Sequence, residues 1–243
     1  CRFQAAADLY SVNNTSLKDA IVSLNGGSCT GEMISKDGLM LTNHHCAFDD
    51  IQEHSSISNN YIKNGFWAMN RSEELQNKNL TASFLLNIEE VSDRILPELT
   101  SDMTEAERAN KIRELSKKII EEKTKDTHYN AKVKSFFGGN NFYILTYETF
   151  KDIRLVGAPP SSIGKFGGDT DNWMWPRHTC DFSVFRIYAD QDNNPSDISD
   201  ENVPYNPAHH FPVSLNGIKK GDFTMVFGFP GYTQQYLTSY AVK

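Results

Sequence analysis

The chain has 243 residues, of which 39% are hydrophobic, 23% charged and 12% aromatic, the make-up of a globular protein able to build a substantial core in one or two domains. Its formal net charge of −7 argues against non-specific nucleic-acid binding, which depends on basic patches laid over phosphates. No apolar run reaches the ~18 residues of a membrane-spanning helix, and Cys1-Arg2-Phe3-Gln4 lacks the basic start and apolar core of a signal peptide.

The chain starts without Met and stops at Tyr240-Ala241-Val242-Lys243, straight after a strand-like run. The expectation is a piece of a longer protein, with a lipid-modified Cys1 as the lesser alternative. From the N-terminus the pattern is β. Ala20 to Leu24 ends at Gly26-Gly27, and Glu32 to Ser35 meets Leu39 to Thr42 across Lys36-Asp37-Gly38. An Asp-Gly pair between two apolar runs predicts a hairpin. Residues 49–80 are polar and loop-rich around Phe66-Trp67. The spacing then predicts a helix over about 101–125: Thr104 and Glu107 form a capping box, and Ile112, Leu115, Ile119 and Ile120 recur on one face. Gly138-Gly139 closes the linker after it. Strands return at Phe142 to Tyr147, Ile153 to Val156, Phe182 to Tyr188 and Phe223 to Phe229, all rich in β-branched and aromatic residues. Many short strands with turn signals between them predict a barrel or sandwich, mainly β with one helical insertion.

Three clusters carry chemistry. His44-His45-Cys46 ends a hairpin strand, where a histidine is held rigidly yet can reach a cleft as a general base must. A surface loop or a satisfied polar contact is the plainer reading. Zinc held by Cys29, a histidine and Cys46 is a third, although the spacing fits no common structural site. Cys29 and Cys46 bracket this segment, and a bond between them would close a loop of about 17 residues, stabilising by roughly 3 kcal/mol. The second cluster runs from Gly167 to Phe182. It is either an aromatic-anchored loop or the carrier of a catalytic acid, since Asp181 directly precedes an alternating strand. Gly228-Phe229-Pro230-Gly231, the third, reads as a turn.

In this order the clusters resemble a known pattern. Cys29 and Cys46 flanking His45, and Asp181-Phe182-Ser183-Val184-Phe185, are similar to the histidine and aspartate segments of chymotrypsin-like serine peptidases. More specifically, Gly26-Gly27-Ser28-Cys29-Thr30-Gly31, Thr42-Asn43-His44-His45-Cys46, the long run Gly167 to Thr179 and Gly228 to Gly231 resemble the bacterial S46 dipeptidyl peptidases, over nearly the whole chain. That resemblance implies two six-stranded barrels with the active site between them and a large helical domain, the latter and the second barrel not represented here. It implies His45 as general base, Asp181 as its orienting acid, a Cys29–Cys46 disulfide, and Asn172 and Trp173 holding the free α-amine of a peptide substrate, with His44 a structural neighbour. Release of dipeptides from peptide N-termini, a periplasmic or cell-surface location, a homodimer and no metal or other cofactor are implied with it.

Two departures stand out. Cys180 occupies a position where the family usually has Gly, with pairing to Cys1 left open. No Gly-Asn/Asp-Ser-Gly stretch occurs, so the serine nucleophile is expected outside residues 1–243, and Ser28 is rejected because it precedes the histidine. The alternatives are an endopeptidase of trypsin or HtrA type and a peptide-binding module without catalysis.

Overall fold

The computed structural model describes residues 6–231 and 236–242, leaving Cys1 outside. In chain order the strands are β1 (Ile21–Leu24), β2 (Cys29–Met33), β3 (Leu39–Thr42), β4 (Phe66–Trp67), β5 (Leu75–Asn77), β6 (Ala82–Glu90) and β7 (Asn130–Phe136). They continue with β8 (Asn141–Phe150), β9 (Asp152–Ala158), β10 (Lys165–Phe166), β11 (Cys180–Asp181), β12 (Ser183–Ala189) and β13 (Val203–Pro204). The large sheet runs β4-β9-β12-β3-β2-β1-β6-β8-β7, with β5 on β9 and β13 on β12; β10 and β11 form a separate ladder.

Lys151 alone separates β8 from β9, yet these strands lie toward opposite ends of that path. Consecutive Cα atoms are only ~3.8 Å apart, so the sheet has to curl until its two flanks meet. Inside the curl, Val22, Leu24, Met33, Met40, Phe84, Phe150, Ile153, Leu155, Phe185 and Ile187 form one buried cluster. This is the mainly β, chymotrypsin-like architecture expected of the sequence.

The hairpin at Asp37-Gly38 forms as its sequence predicts, with Met33 opposite Met40. Gly38 has φ +74°, and a Cβ there would lie 2.5 Å from the Ile187 carbonyl oxygen, so the turn can pack beneath β12 only without a side chain. The helix spans Glu105–Thr124, capped by Thr104, whose Oγ1 accepts from the Glu107 N–H while the Glu107 carboxylate accepts from the Thr104 N–H at 2.9 Å. Its apolar stripe packs over β7 and the start of β8, where Ile119 joins Val91, Ile95, Phe142 and Ile144 in a second buried cluster flanked by Ala131 and Val133.

Two segments differ from expectation. The stretch after the helix, read as a linker, contains β7, which pairs along β8 from Asn130 opposite Tyr147 to Phe136 opposite Asn141. Phe223–Phe229, read as a strand, forms no strand among the described residues: it bends at Gly228, and Val226 is fully exposed. A strand needs a neighbouring strand to share a ladder of backbone bonds, and among the described residues this run joins none; its recorded anchor is a side chain, Thr30 Oγ1, which accepts from the Phe229 N–H.

Candidate active site

Register brings the second and first clusters together. β12 lies antiparallel to β3 with Ser183 opposite Thr42. Extending that register past the ladder's end carries the chain back through Asp181 as the other strand advances through His44 and His45. The Asp181 carboxylate accepts the His45 backbone N–H at 3.0 Å through Oδ1, and Oδ2 stands 2.5 Å from His45 Nδ1. The backbone of Asp181 is fixed as well. It pairs with Lys165 in the β10–β11 ladder, and its carbonyl accepts from Asn43 Nδ2 at 3.2 Å. A ring held through Nδ1 presents Nε2, the edge a general base uses. On that edge the Cys46 sulfur lies 3.6 Å from Nε2, a contact and not a hydrogen bond, since a disulfide sulfur has no proton to give.

Cys29 and Cys46 form a disulfide with their Cα atoms 6.2 Å apart. The bond ties the end of the His45 segment to β2. It also decides the zinc reading, because Cys29, His45 and Cys46 do gather within 4.8 Å but the two sulfurs are bonded to each other and offer no thiolate. Cys180, half-buried beside Asp181, forms no disulfide among the described residues, and its pairing with Cys1 lies outside them.

His44 and His45 are sequence neighbours in opposite surroundings. The His45 side chain is half exposed, whereas His44 is fully buried, with Nε2 2.9 Å from Ser161 Oγ and Nδ1 3.2 Å from Ser183 Oγ. Burial holds the His44 imidazole below the ordinary histidine range, with Lys165 and His45 acting in the same direction and Asp181 against it.

A cleft of about 610 Å³ opens in front of the pair, lined by His45, Asp181, Lys165, Cys180, Asn172 and Trp173. Asn172 and Trp173 end the short helix Gly168–Trp173, and Trp173 is 80% exposed at the cleft wall. Asp171 sits on the same helix, and no hydrogen bond from it to His45 is found; the Asp169 side chain is outside the described residues. Ser28 Oγ donates to the Leu24 carbonyl in the β1–β2 turn, away from His45. The Gly-Phe-Pro-Gly turn docks on β2: the Phe229 N–H donates to Thr30 Oγ1 at 2.8 Å, and a Cβ on Gly228 would fall 2.8 Å from the Thr30 methyl.

Sequence reasoning missed Ser161, Gly164 and Ser183 around His44. Their only signal was small size next to the motifs, which by itself marks nothing.

Comparison with known proteins matches this picture. The Peptidase S46 family profile covers residues 4–243. The Asp/Glu-specific dipeptidyl-peptidase of Capnocytophaga gingivalis is 54% identical over 236 residues, 97% of this chain and 33% of that protein. Dipeptidyl-peptidase 7 of Phocaeicola vulgatus is 48% identical over 244 residues, 98% of this chain and 34% of that protein. The crystal structure of Porphyromonas endodontalis DPP11 in complex with dipeptide Arg-Asp superposes with a TM-score of 0.82 at 45% identity, covering 90% of this chain and 32% of that one. The chain thus spans about a third of the length of the relatives it matches. With the antiparallel barrel and the sequence motifs all in agreement, the chain belongs to the peptidase S46 family.

Proposed function

We propose that residues 1–243 are the N-terminal part of a chymotrypsin-like peptidase domain, and that the full-length protein is a serine-type dipeptidyl aminopeptidase. One observation carries this reading: a carboxylate at the start of a strand grips both the backbone N–H and Nδ1 of a histidine at a cleft. His45 takes the proton of a serine hydroxyl through Nε2 as that oxygen attacks the scissile carbonyl, then returns it to the leaving amine. Asp181 keeps the proton on Nδ1 and stabilises the imidazolium formed in between. The serine and the N–H groups of the oxyanion hole come from sequence beyond residue 243, in a second barrel.

Asn172 and Trp173 fit the exopeptidase form of this chemistry. An amide oxygen accepts from a substrate's terminal ammonium, and an exposed indole walls the subsite and can face that cation. The substrates are peptides with a free N-terminus, and the two curated relatives' names speak for dipeptide release. The disulfide fits an oxidising compartment, which supports work in the periplasm or at the cell surface; a homodimer of the complete protein is what the family resemblance implies. No helix among the described residues is long and apolar enough to cross a membrane.

The test is to give the full-length protein dipeptidyl substrates with free and with acetylated N-termini. Release from the free form alone is expected; equal cleavage of both would make it an endopeptidase, and cleavage of neither a binding module.

A further inference from the structure

His44 has no part in the proton relay just described, yet its side chain beside that relay is completely enclosed. It is 0% exposed, and both ring nitrogens face a serine hydroxyl. The partners come from different pieces of chain. Ser161 opens the short helix Ser161–Gly164, which leads directly into β10, the ladder partner of Asp181. Ser183 opens β12, two residues after Asp181. Gly164 completes the enclosure: a Cβ there would lie 2.6 Å from His44 Nδ1, so the ring occupies the space a side chain would need. The Gly164 carbonyl also accepts the Phe182 N–H at 3.0 Å, immediately after Asp181.

We propose that His44 is a positioning residue for the catalytic pair: its ring bolts the segment before β10 to the start of β12 and so fixes where the Asp181 carboxylate meets His45. The inference rests on the functional reading above. The ring works in its neutral form. A hydroxyl either donates or accepts, so one serine donates to the bare nitrogen while the other accepts from the N–H. The charged or titratable groups acting on it are Asp181, Lys165 and His45, and burial is the largest influence. Losing the ring's nitrogens leaves the buried Ser183 hydroxyl unpaired in a closed space and frees the half-buried Ser161, a cost that is relieved by turning the hydroxyl or by moving the backbone. A backbone shift at Ser183 reaches Asp181 within two residues, and one at Ser161 reaches it through Lys165, its partner in the β10–β11 ladder.

The experiment uses the full-length protein with three variants: His44→Phe, which keeps a ring and loses both bonds, His44→Gln, whose amide reaches toward Ser161, and Ser161→Ala. Active sites are counted with a serine-reactive fluorophosphonate so that misfolded protein drops out of kcat. His44→Phe should lower kcat about 100-fold with KM within about twofold, since a misplaced catalytic group costs turnover more than binding. His44→Gln should recover part of that, and Ser161→Ala should lose about tenfold. In proton NMR, the strongly downfield Nδ1–H of His45 should be present in the wild type and broadened or lost in His44→Phe. If His44→Phe does not fold, Ser161→Ala carries both readouts. Unchanged kcat per titrated site with an intact Nδ1–H signal overturns the proposal, as does a loss wholly accounted for by fewer titrated sites. A wild-type protein that cleaves nothing would instead remove the functional reading, and the NMR signal would still decide the role of His44.

Discussion

The barrel and the insertion each close around a buried apolar cluster, but they stand differently to the cleft. Barrel residues such as Met40 on β3 and Phe185 on β12 lie on the very strands whose ends carry His45 and Asp181. The insertion's cluster, centred on Ile95, Ile119 and Ile144, lies on the far extension of β6 and β8. Around it the ion pairs are exposed, such as Arg94–Glu122 and Lys123–Glu89, each 2.6 Å, of a kind that typically contributes ~0–1 kcal/mol. The same packing physics holds both regions together. What differs is transmission: a fault in the barrel moves the strand ends that define the site, whereas the insertion meets the barrel through β6, β8 and the Lys132–Gly26 hydrogen bond, none of them on β3 or β12.

Four substitutions sharpen that contrast, in falling order of effect. Replacing His45 by Ala in the full-length protein should cut kcat by about 10⁶-fold with the fold intact, as loss of a triad base does; dipeptide release read beside circular dichroism checks both halves. Phe185→Ala empties a fully buried site in the barrel and should cost about 3–5 kcal/mol, with a fall in kcat as the β12 end loosens. Denaturant midpoints together with turnover measure it, and a stability loss with unchanged kcat would break the comparison. Removing the Cys29–Cys46 bond by a double Ser substitution should cost about 3 kcal/mol, with kcat affected because the bond flanks His45. Thr104→Ala, at the helix cap of the insertion, should cost about 1 kcal/mol and leave kcat and KM alone. A change in kcat from that last variant would mean the insertion does communicate with the site.

How legible each region was in the sequence follows the same division. The insertion helix could be read almost to the residue because its signals are local: a capping box three residues wide and an apolar stripe on one face. β7 escaped notice because Asn130–Phe136 is largely exposed and polar, and takes its shape from pairing along β8. Phe223–Phe229 shows the converse, a strand-like composition without a ladder to join. Arg186 on β12 is buried against Glu74 at 2.9 Å, a pairing 112 positions apart that no periodicity reveals. At the site, residue types and order pointed to His45 and Asp181, and the family resemblance assigned their roles. The enclosure of His44 by Ser161, Gly164 and Ser183 depends on three segments meeting in space, so it became visible only with the fold.

The central claim is that Asp181, and no other acid of the Gly167–Phe182 segment, orients His45. Its most direct test is turnover of a free-N-terminal dipeptidyl substrate by full-length Asp181→Asn beside Asp171→Asn, with both shown to be folded. The account predicts a fall of about 10⁴-fold for Asp181→Asn, because the amide favours the wrong histidine tautomer, and near wild-type turnover for Asp171→Asn. Near wild-type activity in Asp181→Asn, or a comparable collapse in Asp171→Asn alone, would contradict it.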